Sequence, residues 1–397
     1  MKVLMVNTEL TRGGAARMAA VLTRALNDLD KGLDVSMLHC QSQESAPPFF
    51  GIKKPLARPL NALIAKALGS SATVDLGVAD EVFRQAQKVD VLHIHNVHGY
   101  YLNYRELFRK CRDMPIVWTW HDMWGATGRC AFSHDCREWV NGCPSCAYKE
   151  HYPAAWVDRA ALEYRVKSTL YSELRNLRIV SPSQWLAEIA IERGFSEDQV
   201  SVIPNPVDLS SYYPKNIGRL RASLGLDEHE FCALFVAADC NDPRKGYADF
   251  ENAVEKAGVN GIAVGIPPEK QSSRIKYVGA LSSTKDLSDW YAAADVMVIT
   301  SKADNYPNTV IESLACGTPV CGYAVGGVPS QISNGSDYLV RPGDIVGLAE
   351  KLNNFVNCDS ISENKRNSIS SQAKNRWNPV NVAEQYLDVY KLVARAS

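Results

Sequence analysis

Residues 295–329 read DVMVITSKADNYPNTVIESLACGTPVCGYAVGGVP. Within this stretch, Val296–Ile299 is a short uncharged apolar run, which is typical of a strand buried on both faces of a parallel sheet. A polar loop follows, and Asn308 and Thr309 then offer an N-cap for a helix. Val320–Tyr323 has the pattern of the next buried strand. The stretch therefore predicts an α/β fold built from parallel sheets.

Two acidic side chains, Asp304 and Glu312, flank the start of that predicted helix. In open parallel sheets ligands bind beyond the carboxyl ends of the strands, where a helix N-terminus offers unpaired N–H groups to a phosphate. Carboxylates beside a phosphate are electrostatically unfavourable unless they accept hydrogen bonds from hydroxyl groups, which sugars supply. The alternative is that Asp304 only caps a loop and that Glu312 only favours the helix dipole.

The composition of the whole chain limits the classes of function. The 397 residues suffice for two or three domains, and 46% of them are hydrophobic, enough for large cores. A net charge of −1 without long basic runs argues against nucleic acid as a partner. No signal peptide is visible, and no run of about eighteen apolar residues occurs. Eleven scattered cysteines suit a reducing compartment. We therefore expect a soluble, cytoplasmic protein.

A strand, a glycine turn and a helix are predicted at the start of the chain. Lys2–Val6 has a strand pattern, and Gly13 and Gly14 precede a helical pattern that runs through Leu26. Glycines there let a ligand approach the backbone, but the G-x-G-x-x-G fingerprint is absent, so no nicotinamide or flavin cofactor is expected. A turn that only requires small residues is the alternative.

Residues 53–68 combine an apolar helical face with basic residues. The apolar face consists of Leu56, Leu60, Leu63, Ile64, Ala67 and Leu68, and the basic residues are Lys53, Lys54, Arg58 and Lys66. A purely basic amphipathic helix can lie on an anionic membrane surface, which predicts peripheral membrane contact through 53–68. The alternative is that the helix packs its apolar face on its own domain.

Histidines follow two predicted strands. Val91–His95 ends in a histidine, and Ile116–Trp120 is followed by His121 and Asp122. The carboxyl ends of strands in an α/β sheet carry its site residues, so these histidines are candidates for the functional site rather than for the core.

Four cysteines lie within seventeen residues, at Cys130, Cys136, Cys143 and Cys146. The Cys-x2-Cys spacing of the second pair is typical of zinc, and four thiolates would form a closed structural site without an open catalytic position. The first pair is spaced more widely than usual. An iron–sulfur cluster or free thiols are the alternatives, and disulfides are disfavoured by the compartment.

Two basic residues follow the first predicted strand of the second half. Phe231–Ala238 is an apolar run, and Arg244 and Lys245 come shortly after it. Positive charge just beyond a strand end can neutralise a diphosphate without a metal ion. A solvated charged loop is the alternative. No D-x-D metal motif is evident, so no catalytic metal is expected.

The spacing D-x7-E from Asp304 to Glu312, followed by S-L-A-C-G-T-P-V and then G-G-V-P, resembles the retaining glycosyltransferases of family 4. The resemblance covers nearly the whole chain. The family motif usually begins with glutamate. With Asp304 in that position, the loop of this chain resembles the D-N-x-P-N-T loop of a subgroup of bacterial exopolysaccharide, colanic acid and O-antigen transferases. It implies the GT-B fold, in which two Rossmann-like domains face each other and a C-terminal helix crosses back to the first domain.

The resemblance also implies roles on the donor side. Glu312 would hold the ribose hydroxyls of a nucleotide sugar, and Asp304 would hold the donor hexose. The backbone at Asn308 and Thr309 would bind the diphosphate. The glycine loop at Gly13–Gly14 would face the donor phosphates or the acceptor.

Further roles follow from the same resemblance. Lys245 and Arg244 would stabilise the departing diphosphate in place of a metal ion. His121 would contact the donor sugar or the acceptor hydroxyl, with Asp122 as its orienting partner. His95 would lie on the acceptor side.

The predicted domains are residues 1–205, an acceptor-side domain with a cysteine-rich loop at 121–151, and residues 206–376, which bind the nucleotide sugar. Residues 377–397 would return to the first domain. The stiff sequence Pro204–Asp208 resembles the linker between them.

The function that the resemblance implies is transfer of a sugar from a UDP- or GDP-sugar to an acceptor hydroxyl, with retention of configuration. The acceptor would be a lipid-linked oligosaccharide in polysaccharide or O-antigen biosynthesis. The alternatives are a nucleotide-sugar epimerase of the same fold and a non-catalytic nucleotide-sugar binding protein.

Overall fold

The computed structural model describes residues 1–29, 31–40, 46–52, 57–70, 77–332, 338–357 and 362–395. The chain divides into two compact units. The first comprises Met1–Asn205 together with Pro379–Ser397, and the second comprises Pro206–Asn378. Each unit is built around its own parallel sheet.

In the described part of the first unit, seven strands form the sheet. They are β1 (Lys2–Asn7), β2 (Asp34–His39), β3 (Phe49–Gly51), β4 (Val91–Ile94), β5 (Pro115–Thr119), β6 (Asn176–Ser181) and β7 (Val200–Val202). The helices are α1 (Gly14–Asn27), α2 (Ala57–Leu68), α3 (Val78–Ala86), α4 (Tyr104–Lys110), α5 (Ala160–Glu173) and α6 (Gln184–Glu192). All strands are parallel, in the order β3-β2-β1-β4-β5-β6-β7.

Among the described residues of the second unit, six strands form the sheet. They are β8 (Cys232–Asp239), β9 (Asn260–Ile266), β10 (Ile275–Gly279), β11 (Val296–Ile299), β12 (Val320–Tyr323) and β13 (Leu339–Val340). The helices are α7 (Ile217–Ser223), α8 (Tyr247–Ala257), α9 (Thr284–Ala293), α10 (Asn308–Ala315), α11 (Val328–Gln331), α12 (Ile345–Asn357) and α13 (Glu363–Trp377). These strands too are parallel, in the order β10-β9-β8-β11-β12-β13.

The two strands predicted from residues 295–329 are confirmed as β11 and β12, and every residue of both is buried. Helices cover both faces of a parallel sheet, so strands that are buried on both faces need the continuous uncharged apolar sequence that β11 and β12 have. The two parallel sheets and the Rossmann-like character of each unit agree with the predicted α/β fold.

Each sheet reverses its strand order at one point. In the first sheet the reversal lies between β1 and β4, and in the second it lies between β8 and β11. At such a switch point the connections leave toward opposite faces and open a crevice beyond the strand ends, where ligands bind in this class of fold. The sequence segments that follow these four strands therefore decide what each unit can bind.

The last helix, α14 (Pro379–Arg395), belongs to the first unit. Its buried side chains, which include Val382, Tyr386 and Val389, join the hydrophobic cluster that β1 and α1 form. The Oη atom of Tyr390 lies 2.7 Å from Nδ1 of His93 on β4. The C-terminal segment thus completes one face of the first sheet.

No helix in the described ranges is long and apolar enough to cross a membrane.

The basic helix predicted at residues 53–68 is present as α2, and residues 53–56 lie outside the described residues. The alternative interpretation, in which its leucines pack on their own domain, is wrong for Leu60, Leu63 and Leu68, which are exposed. The helix instead turns Asn61 and Ala65 toward the protein.

A largely buried ion cluster stabilises the second unit. The carboxylate of Asp295, which precedes β11, lies 3.2 Å from NH1 of Arg221 and 3.8 Å from NH2 of Arg366. It also accepts a hydrogen bond of 2.8 Å from the backbone N–H of Cys232. One carboxylate therefore joins α7, α13 and the first strand of this sheet.

Asp295→Ala should lower the free energy of unfolding of the second unit by about 3 kcal/mol, because two buried guanidinium groups lose their anion. Urea denaturation followed by circular dichroism measures the loss. Glu384→Ala is the control, because Glu384 pairs with Lys31 at 2.6 Å through side chains that are 48% and 47% exposed. Its effect should stay below about 1 kcal/mol. Equal losses in both variants would contradict the importance of burial.

Candidate functional site

The loop after β8 presents Arg244 and Lys245. They lie in a short 3-10 helix, Pro243–Lys245, whose N-cap is Asp242. The Asp242 carboxylate accepts a hydrogen bond of 2.9 Å from the backbone N–H of Arg244. Proline fixes its own backbone angle at the first helical position, and aspartate caps the exposed N–H groups, so the local sequence itself sets this turn.

Gly246 ends that turn and brings it against the neighbouring strand β11. Its φ of +69° is one that side-chain-bearing residues rarely adopt, and a Cβ atom there would lie 2.1 Å from the carbonyl oxygen of Thr300. The backbone N–H of Lys302 donates to the carbonyl of Arg244 at 2.7 Å. The loops that follow β8 and β11 are therefore joined through their backbones.

The side chains of these two loops form an ion cluster. Lys245 Nζ lies 2.6 Å from Oδ2 of Asp304, and Arg244 NH1 lies 3.4 Å from the same oxygen. Arg244 NH1 also donates to the carbonyl of Ala303 at 3.1 Å. The structure thus brings together three of the predicted site residues, two cations and one anion, at the switch point of the second sheet.

The protonation state of Asp304 follows from this pairing. Burial alone would raise the pKa of its carboxyl group, but the charges of Lys245 and Arg244 outweigh burial, and the pKa lies below its usual value. The backbone N–H of Asn305 adds a hydrogen bond of 3.1 Å to the other carboxylate oxygen. Asp304 is therefore a carboxylate at neutral pH.

The Gly326–Gly327 turn packs against the Asp304 backbone. Gly326 has a φ of +52°, and a Cβ atom there would lie 1.8 Å from the Asp304 carbonyl oxygen. Gly327 N–H donates to the Asn305 carbonyl at 2.7 Å. The two glycines at the end of the 295–329 stretch therefore fix the position of the acidic loop.

The start of α10 differs from the prediction. Pro307, rather than Asn308 or Thr309, occupies the N-cap position, and no side chain caps the helix. Proline holds its own φ near −65°, and Pro307 adopts a φ of −63°. Thr309 Oγ1 is buried and has no hydrogen-bond partner among the described residues. The predicted diphosphate contact at Asn308 and Thr309 stays a prediction.

Glu312 lies in α10 and is only 4% exposed. Its Oε2 accepts a hydrogen bond of 3.0 Å from the hydroxyl of Tyr291 on α9. The buried tyrosine orients a carboxylate that is otherwise costly to bury. Tyr291 was not predicted as a site residue, and its contact with Glu312 depends on how α9 and α10 pack. The predicted ribose contact of Glu312 stays a prediction.

In the first unit, the two predicted histidines meet because β4 and β5 are neighbours. Nδ1 of His95 lies 3.0 Å from Nε2 of His121, and the two rings are stacked. His95 Nε2 is buried and has no hydrogen-bond partner within the described part of the chain.

A second pair, His98 with Asp122, lies beside the first, and this pairing was not predicted. Asp122 Oδ2 is 2.9 Å from Nε2 of His98, whose Nδ1 is 3.1 Å from the hydroxyl of Tyr152. The other Asp122 oxygen accepts from the backbone N–H of Trp124 at 2.9 Å. Asp122, predicted as the orienting partner of His121, is hydrogen-bonded to His98, and its role toward His121 stays a prediction. The signal in the sequence was the position of His98 just beyond the end of β4.

The imidazoles of His93, His95 and His121 are electrically neutral at pH 7. Burial lowers the pKa of His121 to about 4, although nearby Asp122 opposes the change. Burial also lowers the pKa of His93 to about 3 and that of His95 well below its usual value. These three imidazoles can therefore donate or accept single hydrogen bonds, but they do not supply positive charge.

Gly13 and Gly14 lie at the start of α1, beyond the end of β1. Gly13 is the N-cap residue, with a φ of +90° and no atom within 4 Å of where its Cβ would be. A side chain at position 13 would therefore meet no described atom, and glycine is favoured there by its φ rather than by close packing.

The zinc site predicted from four cysteines is not formed. In the parts of the chain that the structure describes, which include all four, no three histidine, cysteine or acidic side chains are grouped to hold a metal ion. Cys143 Sγ instead accepts from the backbone N–H of Gly128 at 3.2 Å. Burial raises the pKa of Cys130 to about 11, so that thiol is protonated at neutral pH.

Solved structures of the same fold cover the whole chain. Sucrose-phosphate synthase from Thermosynechococcus elongatus superposes with a TM-score of 0.71 at 18% identity and covers 100% of both chains. HepE of Anabaena, solved in complex with UDP-glucose, gives a TM-score of 0.68 at 18% identity and covers 99% of this chain and 100% of its own. The fold is therefore the GT-B fold of glycosyltransferases.

Sequence comparison gives the family. The model of Glycosyltransferase Family 4 matches residues 12–211, and that of Glycosyl transferases group 1 matches residues 269–376. The chain belongs to glycosyltransferase family 4, which confirms the resemblance carried by residues 295–329. It is 24% identical to the putative colanic acid biosynthesis glycosyl transferase WcaC of Escherichia coli strain K12, over 98% of this chain and 100% of that protein.

The buried histidines predict how stability depends on pH. Because the unfolded chain binds protons near pH 6.5 and folded His121 binds them only near pH 4, the folded state should lose stability as pH falls between these values. In His121→Gln, the melting temperature should fall less over this range than in the wild type. His229→Gln, at an exposed position, is the control and should follow the wild type. Parallel curves for all three proteins would refute the buried-histidine explanation.

The packing of Gly326 predicts a second, separable effect. Gly326→Ala should lower the free energy of unfolding by about 3 kcal/mol, because both its φ and the Asp304 carbonyl oppose a side chain. Gly258→Ala is the matched control, since Gly258 has a φ of +70° but no atom within 4 Å of its Cβ position. It should cost about 1 kcal/mol. Chemical denaturation measures both, and equal costs would mean that the close contact contributes nothing.

Proposed function

We propose that the protein transfers a sugar from a nucleoside diphosphate sugar, with UDP or GDP as the nucleotide, to an acceptor hydroxyl with retention of configuration. The observation that carries the proposal is the cluster of Arg244, Lys245 and Asp304 at the switch point of the second sheet. Family membership supports sugar transfer, and the relative HepE, solved with UDP-glucose, supports a nucleotide-sugar donor.

The two cations suit a diphosphate leaving group. Lys245 and Arg244 both pair with the same oxygen of Asp304, and each side chain is 22% exposed, so they remain accessible to a ligand from solution. As the bond to the leaving phosphate breaks, negative charge develops on its oxygens, and preorganised cations stabilise that charge more than the ground state. Loss of one such interaction typically reduces turnover by about a hundredfold or more.

Asp304 is suited to holding sugar hydroxyls rather than to acting as a base. Its lowered pKa makes it a weak proton acceptor, and its ion pairs weaken it as a nucleophile. We therefore favour attack of the acceptor hydroxyl on the face from which the diphosphate departs. The bond from the anomeric carbon to the acceptor oxygen forms, the bond to phosphate breaks, and the acceptor proton passes to the leaving phosphate oxygen.

The other predicted residues complete the proposal. Glu312, oriented by Tyr291, would accept hydrogen bonds from the ribose hydroxyls, and the backbone at Asn308 and Thr309 would contact the diphosphate. Neutral His121 would exchange a hydrogen bond with the donor sugar or with the acceptor.

The acceptor that we propose is a lipid-linked oligosaccharide in cell-surface polysaccharide assembly, reached on the cytoplasmic side of the membrane. Two similar proteins support this class: WcaC, named for colanic acid biosynthesis, and the structural neighbour WaaG, described as a glycosyltransferase involved in lipopolysaccharide biosynthesis.

The test begins with binding of UDP, GDP, ADP, CMP and NAD, measured as the rise in melting temperature at saturating ligand. One nucleoside diphosphate should stabilise the protein selectively. Lys245→Met should reduce that stabilisation and lower turnover of the corresponding sugar nucleotide by about a hundredfold. Lys302→Met is the matched control, because Lys302 lies in the neighbouring loop but is 52% exposed and 3.8 Å from Asp249.

Three outcomes would contradict the proposal. If no nucleotide raised the melting temperature, the proposed donor site would be contradicted. If Lys245→Met kept full activity, the proposed role of Lys245 in stabilising the leaving group would be contradicted. A product in which the sugar nucleotide is epimerised without an acceptor would favour the epimerase alternative.

A further inference from the structure

Helix α2 packs on the first unit through short side chains. Asn61 and Ala65 are buried on its inner side, and Asn61 Nδ2 donates to the carbonyl of Tyr100 at 3.2 Å. An amphipathic helix normally buries its large apolar residues against the domain that carries it. Here the inner contacts are made by an amide and a methyl group, so the large residues point elsewhere.

A group of large apolar side chains is exposed on and beside α2. Their exposed fractions lie between 47% and 57%, and the residues are Leu60, Leu63, Leu68, Trp156 and Val157. Single exposed leucines are ordinary, but several together on one element mark an interaction surface. We name these five residues the α2 surface.

Trp156 and Val157 are held against the C-terminal half of α2. The backbone N–H of Trp156 donates to the carbonyl of Lys66 at 2.8 Å, and Lys66 Nζ lies 5.5 Å from the centre of the indole ring. A Cβ atom on Gly69 would lie 2.2 Å from the carbonyl oxygen of Val157. Glycine at this position thus permits the close approach that places an indole and an isopropyl group beside the helix.

We propose that the α2 surface docks on the face of an anionic phospholipid bilayer. The chemistry of the surface supports this occupant over another protein. The described segment, residues 57–70, carries two basic residues, Arg58 and Lys66, and no aspartate or glutamate. Leucines on a helix flanked by basic residues, with tryptophan at the edge, are typical of helices that lie in the lipid interface. Interfaces between proteins are instead depleted in lysine.

The docked helix would lie in the plane of the membrane. Its leucines and Trp156 would enter the boundary between headgroups and acyl chains, while Lys66 would remain among the phosphate groups. Docking goes beyond the proposed transfer reaction and does not require it, because none of the five residues belongs to the candidate site. Vesicle binding and sugar transfer can therefore fail independently.

Trp156 provides the first measurement. It is the most exposed of the eight tryptophans, and six of the others are buried. Vesicles of phosphatidylcholine with about 30% phosphatidylglycerol should shift its fluorescence to shorter wavelength and carry the protein into the pellet on sedimentation. Phosphatidylcholine alone should bind more weakly, and added salt should weaken binding to the anionic vesicles.

Two variants locate the contact. Leu60→Ser combined with Leu63→Ser should lower the vesicle partition coefficient by about tenfold or more, because two leucines no longer enter the lipid. Trp156→Ser should lower it as well and should remove the fluorescence shift. Leu392→Ser is the matched control: Leu392 is 51% exposed on α14 and should leave binding unchanged. Circular dichroism and the melting temperature establish that each variant is folded.

Several results would overturn the proposal. They are failure of the wild-type protein to bind anionic vesicles, equal binding by the double variant, and equal loss in Leu392→Ser. The wild-type protein could instead form a concentration-dependent dimer in sedimentation velocity and fail to bind vesicles. If the double variant were then monomeric, the α2 surface would be assigned to contact with a second copy of the chain.

Discussion

Parallel pairing of strands that are distant in sequence is the constraint on which both candidate sites depend. Pairing of β8 with β11 brings the loop that carries Arg244 and Lys245 beside the loop that carries Asp304. In the other unit, pairing of β4 with β5 does the same for His95 and His121. The members of each cluster are far apart in the sequence. Each is produced by the register of hydrogen bonds between strands, so the sheets act as the frame that determines side-chain geometry.

The cluster around Asp304 and the cluster around His121 differ in the charge of their titratable side chains. Around Asp304, burial is compensated by two cations, and the carboxyl group stays ionised. Around His121, burial is not compensated to the same extent, and the imidazole stays neutral. A site with fixed charge suits a charged diphosphate, whereas a neutral hydrogen-bonding site suits an uncharged sugar hydroxyl. This division of electrostatics between the units is consistent with a donor and an acceptor of different polarity.

The sequence predicts the parts of the structure that depend on local pattern. The strands at Val296–Ile299 and Val320–Tyr323 could be predicted because full burial demands continuous apolar residues. The placement of Arg244, Lys245 and Asp304 just beyond strand ends could be predicted as well, whereas their ion pairing could not.

What could not be predicted depends on packing between elements. The pairing of His98 with Asp122 joins two loops, and periodicity carries no information on which carboxylate oxygen faces which ring. The N-cap of α10 was misassigned because Pro307 fixes its backbone without a capping side chain. Cysteine spacing likewise does not determine where thiols point in an irregular loop, and Cys143 faces the backbone of Gly128. The exposure of Leu60 follows from the short side chains beneath α2.

The return of α14 to the first unit has a consequence for dividing the protein into fragments. Residues 206–378 form one continuous segment that contains the core of the second unit. The first unit is discontinuous in sequence, because Tyr386 and Tyr390 of its core lie in α14, beyond the whole of the second unit. A fragment that ends at Asn205 would therefore expose the hydrophobic face that α14 covers. Only a fragment that also carries α14 would contain the complete core of the first unit.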